Sequence, residues 1–557
     1  MNAKPVATTP STVGARMSWL PTLALSTMSG LLLGAAMPTV LDWGFLGWVG
    51  FIPLLLGLHM QSSRHYVLLA LPCGIIWSAF THLWYPALFG MVGGIFLILA
   101  VGTFYAGLVH IGTTLQQRLP EPFRLLGLPV AWSALEFLRF VAPVVSEWWI
   151  EVLAKSQWRF PPALQILTIT GFPGLSFLIM LVNVTLTMII LEWWQKRRWH
   201  LPALIGLLFA LLVVGWGAFT IPDAVAPVFR VAGTVDLVNQ DPAVQRLSNL
   251  PRDQEGYYAD TPAMSQAIFR INETLTRRVA DVQPAFVVWP ENEFADADDP
   301  AVVAQLGGLA RELNTYLVAD MVWHAEAGMH DAAVLIGPDG REVGRRAKIN
   351  LTSGEQAFGF VAGSATFPVF PTPYGKVGLG VCWDRHPTWI VRELARHGAQ
   401  IVLMPVDDDF AANPWFPRLH AADSVLRAVE NRVTFATGAT SGIAMVIDPY
   451  GRITAESAIN QRSVVVGEAF TLSERTFYTY TGDWFGWLMC GSTLIGLLWR
   501  RRLPSAHTRK QEKKRAMPSA TVEKGIFTPF HLFVFTCGLP TASRQDTHTT
   551  MPLRTVR

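Results

Sequence analysis

Three polar residues stand directly behind apolar, strand-like runs. Glu291 closes Ala285-Phe286-Val287-Val288-Trp289-Pro290, Lys348 follows a hairpin that turns at Gly337-Pro338-Asp339-Gly340, and Cys382 follows Lys376-Val377-Gly378-Leu379-Gly380-Val381. Open α/β sheets place their chemistry just beyond strand ends. A thiol, a carboxylate and an ammonium gathered there suit acyl transfer. A free thiol is mostly protonated near neutrality and needs a base, which a carboxylate supplies. An ammonium and backbone amides stabilise the oxyanion of a tetrahedral intermediate. Taken singly, each residue has a plainer meaning. A Cys after an apolar strand is most often a small buried hydrophobe, and a Glu or Lys after a strand is usually a solvated turn or surface residue. It is the joint occurrence, in this order and each at a strand end, that argues for a site.

The elements that must position these residues are short. From Val228 onward, strand-like runs at 229–235, 285–289, 316–322, 332–336, 376–381, 400–405 and 432–437 alternate with helical periodicity at about 261–280, 301–314, 387–397 and 418–430. A last hairpin turns at Asp448-Pro449-Tyr450-Gly451. Apolar strands alternating with helices predict a layered α/β domain around a buried sheet.

The rest of the 557-residue chain is of another kind. Overall it is 51% hydrophobic and only 15% charged, with 21 Trp, and the apolar excess falls before residue 222 and again at 484–500. About 20 apolar residues span a bilayer core. Seven spans are expected near 17–36, 44–60, 66–85, 87–112, 124–142, 163–192 and 200–221, and an eighth near 484–500. The first is not read as a cleaved signal peptide, since no small-residue cleavage site ends it. Lys and Arg mark alternate loops: Arg64, Arg118 and Arg124, Lys196-Arg197-Arg198, and Arg500-Arg501-Arg502. By the positive-inside rule these loops and both termini are cytoplasmic, and residues 222–483 lie outside. The expected domains are a transmembrane bundle at 1–225, a catalytic domain at 226–480, a final span at 481–503 and a disordered basic tail at 504–557. Arg139 and Glu136, three residues apart on span five, are expected to pair. Trp148, Trp149, Trp158, Trp415, Phe416, Trp484 and Trp487 are candidates for interfacial anchors.

The net charge of +3 is too small to suggest a nucleic-acid partner. Cys73, Cys382, Cys490 and Cys537 have neither metal spacing nor a disulfide framework. No metal or cofactor is expected. Asp407-Asp408-Asp409 are read as a hydrogen-bonded loop, because consecutive residues seldom converge on one ion.

The order Trp289-Pro290-Glu291, Lys348, Val381-Cys382-Trp383-Asp384 resembles the Glu-Lys-Cys triad of the nitrilase superfamily. Seven spans, such a domain and one closing span resemble the bacterial apolipoprotein N-acyltransferase family, over most of residues 20–500. The likeness includes Glu136-Phe137-Leu138-Arg139, Gln165–Gly171, Gly174–Leu178, Gly375–Gly378, Asp448–Arg452 and Tyr480–Trp484. The resemblance implies an α-β-β-α sandwich and transfer of an acyl chain from a phospholipid to the N-terminal amine of a diacylglyceryl-Cys apolipoprotein, in the bacterial inner membrane. It implies Cys382 as nucleophile, Glu291 as base, Lys348 with an amide near Trp383 as oxyanion holders, and Glu355 as a supporting glutamate. Trp415, His420 and Glu430 are the candidate substrate-binding residues. The chain departs from the family at Trp383-Asp384, where Tyr-Glu is usual, at Leu351–Glu355, at Asp407–Phe410 and at Leu419-His420. Those departures fall on pocket loops, so two other readings stay open: a membrane-tethered carbon-nitrogen hydrolase, and a catalytically silent lipid- or lipoprotein-binding homologue.

Overall fold

A computed structural model describes residues 19–143, 147–223, 228–248, 262–409 and 413–498. The basic tail, Cys537 and the N-terminal charges Lys4 and Arg16 lie outside the described residues.

Among the described residues, twelve strands form one folded sheet: β1 (Phe229–Val235), β2 (Phe286–Val288), β3 (Tyr316–Ala325), β4 (Gly328–Ile336), β5 (Glu342–Ala347), β6 (Val369–Thr372), β7 (Gly375–Leu379), β8 (Ile401–Val406), β9 (Thr434–Ala439), β10 (Met445–Ile447), β11 (Ile453–Glu456) and β12 (Ser463–Ala469). The order β5-β4-β3-β2-β1 continues through β1 into β9-β8-β7-β6. β1 meets β9 through a single registered pair, Val235 with Ala439, so the sheet folds there into two halves. Side chains alternate between faces along a strand. Phe286 and Val288 of β2, Val318 of β3 and Leu335 of β4 join Val377, Leu379, Ile401 and Leu403 in one core. Val287, Leu317, Val334 and Ile336 face the other way, onto Ile268 and Leu306 of the helices Pro262–Arg277 and Pro300–Leu313. The two sheet halves thus pack face to face, with these helices on the outer face of the first. Strand β12, which pairs with all of β1, had no expectation.

A helix lies at each of the eight expected apolar places: α1 (Trp19–Ala36), α2 (Ile52–His59), α3 (Tyr66–His82), α4 (Tyr85–Arg118), α5 (Gly127–Val141), α6 (Phe172–Lys196), α7 (Leu201–Thr220) and, after the sheet, α8 (Trp484–Leu498). Four of them, α1, α4, α6 and α7, are long and apolar enough to cross a membrane. Their outward residues are large and apolar, as on Val92 (84% exposed) and Phe219 (93% exposed). Such a belt suits lipid rather than water. α3 and α4 touch backbone to backbone: a Cβ on Gly74 would lie 2.1 Å from the Gly102 carbonyl oxygen.

The sixth expected span is corrected. The helix starts at Phe172, not near 163, because Gly171 takes φ +63°, a left-handed turn that breaks the helix. Residues 161–170 instead form two short turns beneath the sheet domain, where Gln165 Nε2 donates to the Tyr450 carbonyl at 2.9 Å. The second expected span is likewise a 3₁₀ turn, Gly44–Trp48, followed by the eight residues of α2. The expected Glu136–Arg139 pair does not form. Glu136 accepts from the Leu153 amide at 2.7 Å, whereas Arg139 donates to the carbonyls of Trp149 and Glu151. Trp158 and Phe416 are buried packing residues rather than belt anchors, while Trp487 is exposed.

The sheet domain sits at the end of the bundle where α3 ends and α4 begins: the Trp84 and Phe416 rings are 4.8 Å apart. Arg64, Arg118 and Arg124 lie at the opposite ends of α3, α4 and α5, and Arg118 Nη1 donates to the Leu497 carbonyl near the end of α8.

Candidate active site

Glu291, Lys348 and Cys382 emerge from the ends of β2, β5 and β7 and meet. Lys348 Nζ is 2.5 Å from Glu291 Oε1 and 2.6 Å from Glu355 Oε1. The Glu291 and Cys382 side chains are near enough for the charge of one to bear on the titration of the other. The backbone of Asp407, just past β8, ties the two together. Its N–H donates to Glu291 Oε2 at 2.6 Å, and its carbonyl accepts from the Cys382 thiol at 3.5 Å.

The local chain dictates this convergence. β7 ends at Leu379 and the next residues turn sharply into a four-residue 3₁₀ helix, Cys382–Arg385. Cys382 itself has φ +42°, a left-handed conformation that costs a non-glycine residue on the order of 1–3 kcal/mol. The turn is held by Asp384, wholly buried, whose Oδ1 accepts from the Ile349 and Asn350 amides at 3.0 and 2.9 Å. Its Oδ2 pairs with Arg346 Nη1 at 3.0 Å. One carboxylate thus fastens the Cys382 turn to the segment carrying Lys348. Glu355 is presented by a short helix, Ser353–Ala357, closed by a capping box in which its own Oε2 accepts from the Thr352 amide.

Burial sets the protonation of the group. It raises the Glu291 carboxyl; the Lys348 charge opposes this and the Asp331 charge adds to it, leaving Glu291 pushed up to about 7. Burial also works against the Lys348 ammonium, but Glu291, Glu355 and Asp331 outweigh it and hold the amine charged well above the usual lysine range. Burial, then the Glu291 charge, push the Cys382 thiol well above its ordinary value. At rest the sulfur therefore carries its proton, and removal of that proton has to accompany attack.

Trp383 packs its buried ring against His420 at 4.4 Å and against Trp148 of the bundle at 5.6 Å. His420 Nδ1 is 2.6 Å from Asp408 Oδ1. Trp415 lies edge-on to Phe80 of α3 at 5.9 Å. Glu430 does not join these residues. It is buried at the far end of the helix Pro417–Asn431, where it pairs with Arg427 at 3.1 Å, and its carbonyl accepts from Thr476. Ten residues of helix, about 15 Å, separate it from His420, so its side chain serves a structural ion pair. The three consecutive aspartates diverge: Asp408 turns to Arg385, Asp409 accepts from Asn239, and Asp407 Oδ1 accepts from the Asp409 amide. Sequence reading missed Asp320 and Asp331, buried within β3 and β4, and Glu293, whose carboxylate neighbours that of Glu291.

Fold and site together define a membrane protein with a nitrilase-type sandwich and a buried Cys, Glu and Lys at the sandwich's strand ends. Residues 243–469 match the carbon-nitrogen hydrolase family, and residues 29–185 match the apolipoprotein N-acyltransferase N-terminal domain. The chain is 28% identical over 520 residues to an apolipoprotein N-acyltransferase of Geobacter metallireducens, covering 87% of this chain and 96% of that one. It is 24% identical over 508 residues to an apolipoprotein N-acyltransferase of Gloeobacter violaceus, covering 84% and 92%. An omega-amidase of Homo sapiens is 25% identical over 190 residues, which cover 31% of this chain and 68% of the amidase. The chain thus carries matches to both family domains and is similar to apolipoprotein N-acyltransferases along most of its length.

Proposed function

We propose that this protein transfers an acyl chain from a phospholipid, through a thioester on Cys382, to the N-terminal amine of a diacylglyceryl-Cys apolipoprotein. Cys382 Sγ attacks the ester carbonyl while Glu291 takes the thiol proton. The oxyanion is held by the Lys348 ammonium and the Trp383 amide, with Glu355 steadying Lys348. The carbon–oxygen bond then breaks, Glu291 returns the proton to the departing lysophospholipid oxygen, and the thioester remains. In the second half the acceptor amine attacks the same carbonyl and gives its proton to Glu291. The carbon–sulfur bond breaks, the amide forms, and the sulfur recovers its proton. This is ping-pong chemistry with a covalent intermediate.

One observation carries the proposal: Cys382, Glu291 and Lys348 converge at the side of the sandwich that rests on the bundle, with Trp383 packed on Trp148. A thiol held there lets a long acyl chain stay partly in lipid while its ester reaches the sulfur. We also take the eight apolar segments as spans, the second being the turn Gly44–Trp48 and α2 together, seven before the sandwich and one after it. The bundle is then 1–225, the catalytic domain 226–480 and the closing span 481–503. Since Arg64, Arg118, Arg124 and Lys196–Arg198 cluster away from the sandwich, the positive-inside rule puts the sandwich on the periplasmic face of the inner membrane.

Mass spectrometry of the purified protein after incubation with phospholipid tests this. An acyl increment on Cys382, discharged by a diacylated lipopeptide and not by water, is expected. Discharge by water at the same rate would make the protein a hydrolase. No adduct, together with no reaction of Cys382 with a thiol probe, would make it a silent binding protein. Cys382→Ser is expected to lose turnover while keeping the fold.

A further inference from the structure

The charge around the site exceeds what the triad needs. The Lys348 ammonium has three protons and three carboxylate neighbours: Glu291 Oε1 at 2.5 Å, Glu355 Oε1 at 2.6 Å and Asp331 Oδ2 at 3.2 Å. Asp331 lies within β4, its side chain wholly buried. Carboxylate oxygens of Glu291, Glu293 and Asp331 lie within 4.8 Å of one another. Asp320, on the neighbouring strand β3 and two residues out of register with Asp331, is buried as well. Its Oδ2 accepts from the Asn292 amide at 3.0 Å and the Glu293 amide at 2.7 Å, which pins the turn that follows Glu291. One buried ammonium therefore serves several carboxylates, in surroundings where charge is poorly screened.

Sharing matters for the chemistry. A carboxylate alone with a buried ammonium is held as the anion and makes a feeble base. A carboxylate that shares the ammonium, with a second negative charge nearby, keeps its appetite for a proton. Building on the acyl-transfer reading above, we infer that Asp331 is a positioning residue of the reaction: as the third carboxylate on Lys348, it keeps Glu291 from being locked into an exclusive ion pair and leaves it free to take the proton of Cys382. The shifts run the same way. Burial raises Glu291, Lys348 lowers it, and the Asp331 charge raises it again. The other titratable groups facing this cluster are Glu293 on the same turn, Asp320 on β3, Glu355 on its short helix, and Cys382 and Asp407 at the ends of β7 and β8. Of these, only Glu355 also forms an ion pair with Lys348 among the described residues, and it comes from an exposed short helix, in which it alone is partly covered, rather than from the sheet.

D331N is isosteric and removes only the charge. In full-length protein in nanodiscs, two rates are read against pH: alkylation of Cys382 by iodoacetamide, and acyl transfer from phospholipid to a diacylated lipopeptide. Removing a like charge beside Glu291 is expected to move the acid limb of both profiles down by about one pH unit and to lower the plateau several-fold. D331E restores the charge and is expected to bring the limb back toward the parent's. E291Q abolishes the limb, and D331N added to it is expected to produce no further shift. A D331N limb superimposable on the parent's overturns the inference. So does a D331N protein that loses its fold, since Asp331 is then a residue of the core alone. A parent protein that never acylates Cys382 overturns the acyl-transfer reading and this inference with it. An unmoved limb in a D331N enzyme that still acylates removes Asp331 only.

Discussion

A buried thiol beside a carboxylate is a poor nucleophile at rest, and the rate of attack depends on how readily its neighbour accepts a proton. With Glu291 pushed up to about 7, chiefly by burial, a base that must be ionised works above that value and fails below it. The rate of Cys382 acylation is therefore expected to fall about tenfold per pH unit below roughly 7. Glu291→Gln removes the proposed base, and should slow acylation by about 10²- to 10⁴-fold above roughly pH 7 and by less below it, because the acid limb disappears. Stopped-flow measurement of thioester formation checks both; an unchanged acylation rate in Glu291→Gln would count against its role as base. The convergence of Glu291, Lys348 and Cys382 was legible in sequence because each interrupts the end of an apolar run, where a polar residue has a visible reason to be. Asp320 and Asp331 were not. Each sits inside a strand, at Val318-Ala319-Asp320-Met321-Val322 and His330-Asp331-Ala332-Ala333, and an acid within a strand is normally assigned to the solvated face. Both faces of these strands are covered, so the signal that could have found them is the absence of any polar face for the acids to occupy.

The Cys382 turn is fastened by Asp384. Two amides of the Lys348 segment and the Arg346 guanidinium converge on that one carboxylate, all of it buried. Asp384→Ala leaves Arg346, 4% exposed, with an uncompensated charge, a change that typically costs about 3–5 kcal/mol. The expected result in chemical denaturation is a loss of that size together with loss of acyl transfer. Adding Arg346→Met should recover part of the stability but little of the activity, since the turn and the Lys348 segment remain unfastened. Full recovery of both would mean Asp384 only neutralises Arg346. Most strands were readable from β-type apolar runs, and β2, β3, β8 and β9 fall within a few residues of their expected places. The sixth span was misplaced because residues 163–171 are as apolar as a span, and hydropathy does not register the left-handed turn at Gly171. β12 was missed because its run Ser463–Ala469 gains its partner only when β1, more than 220 residues earlier, lies beside it.

At the scale of the whole molecule, the two parts were separable in sequence by composition alone, but the contacts joining them were not, since they pair residues hundreds of positions apart. Two charged links from the same loop make a test of what holds the sandwich on the bundle. Arg159, 39% exposed, reaches Asp42 at 2.7 Å and Glu456 at 2.6 Å. Lys155, fully buried, reaches Asp423 at 2.8 Å and donates to the Leu419 carbonyl at 3.1 Å. Asp423 also meets His386, at 3.2 Å, one residue beyond the Cys382 turn. Exposed pairs are screened by water and are worth about 0–1 kcal/mol, whereas removing one partner of a buried pair strands the other and costs about 3–5 kcal/mol. Arg159→Ala is thus expected to leave both stability and acyl transfer nearly intact. Lys155→Met should destabilise the protein by the larger amount and slow acylation of Cys382, because the stranded Asp423 charge bears on the segment leading from the turn. Lys155→Met with Asp423→Leu should regain most of the stability, as an apolar replacement for a buried pair commonly does. Denaturation and acylation rates of the three variants in nanodiscs decide it: equal losses for Arg159→Ala and Lys155→Met would mean that the buried link has no special hold on the site.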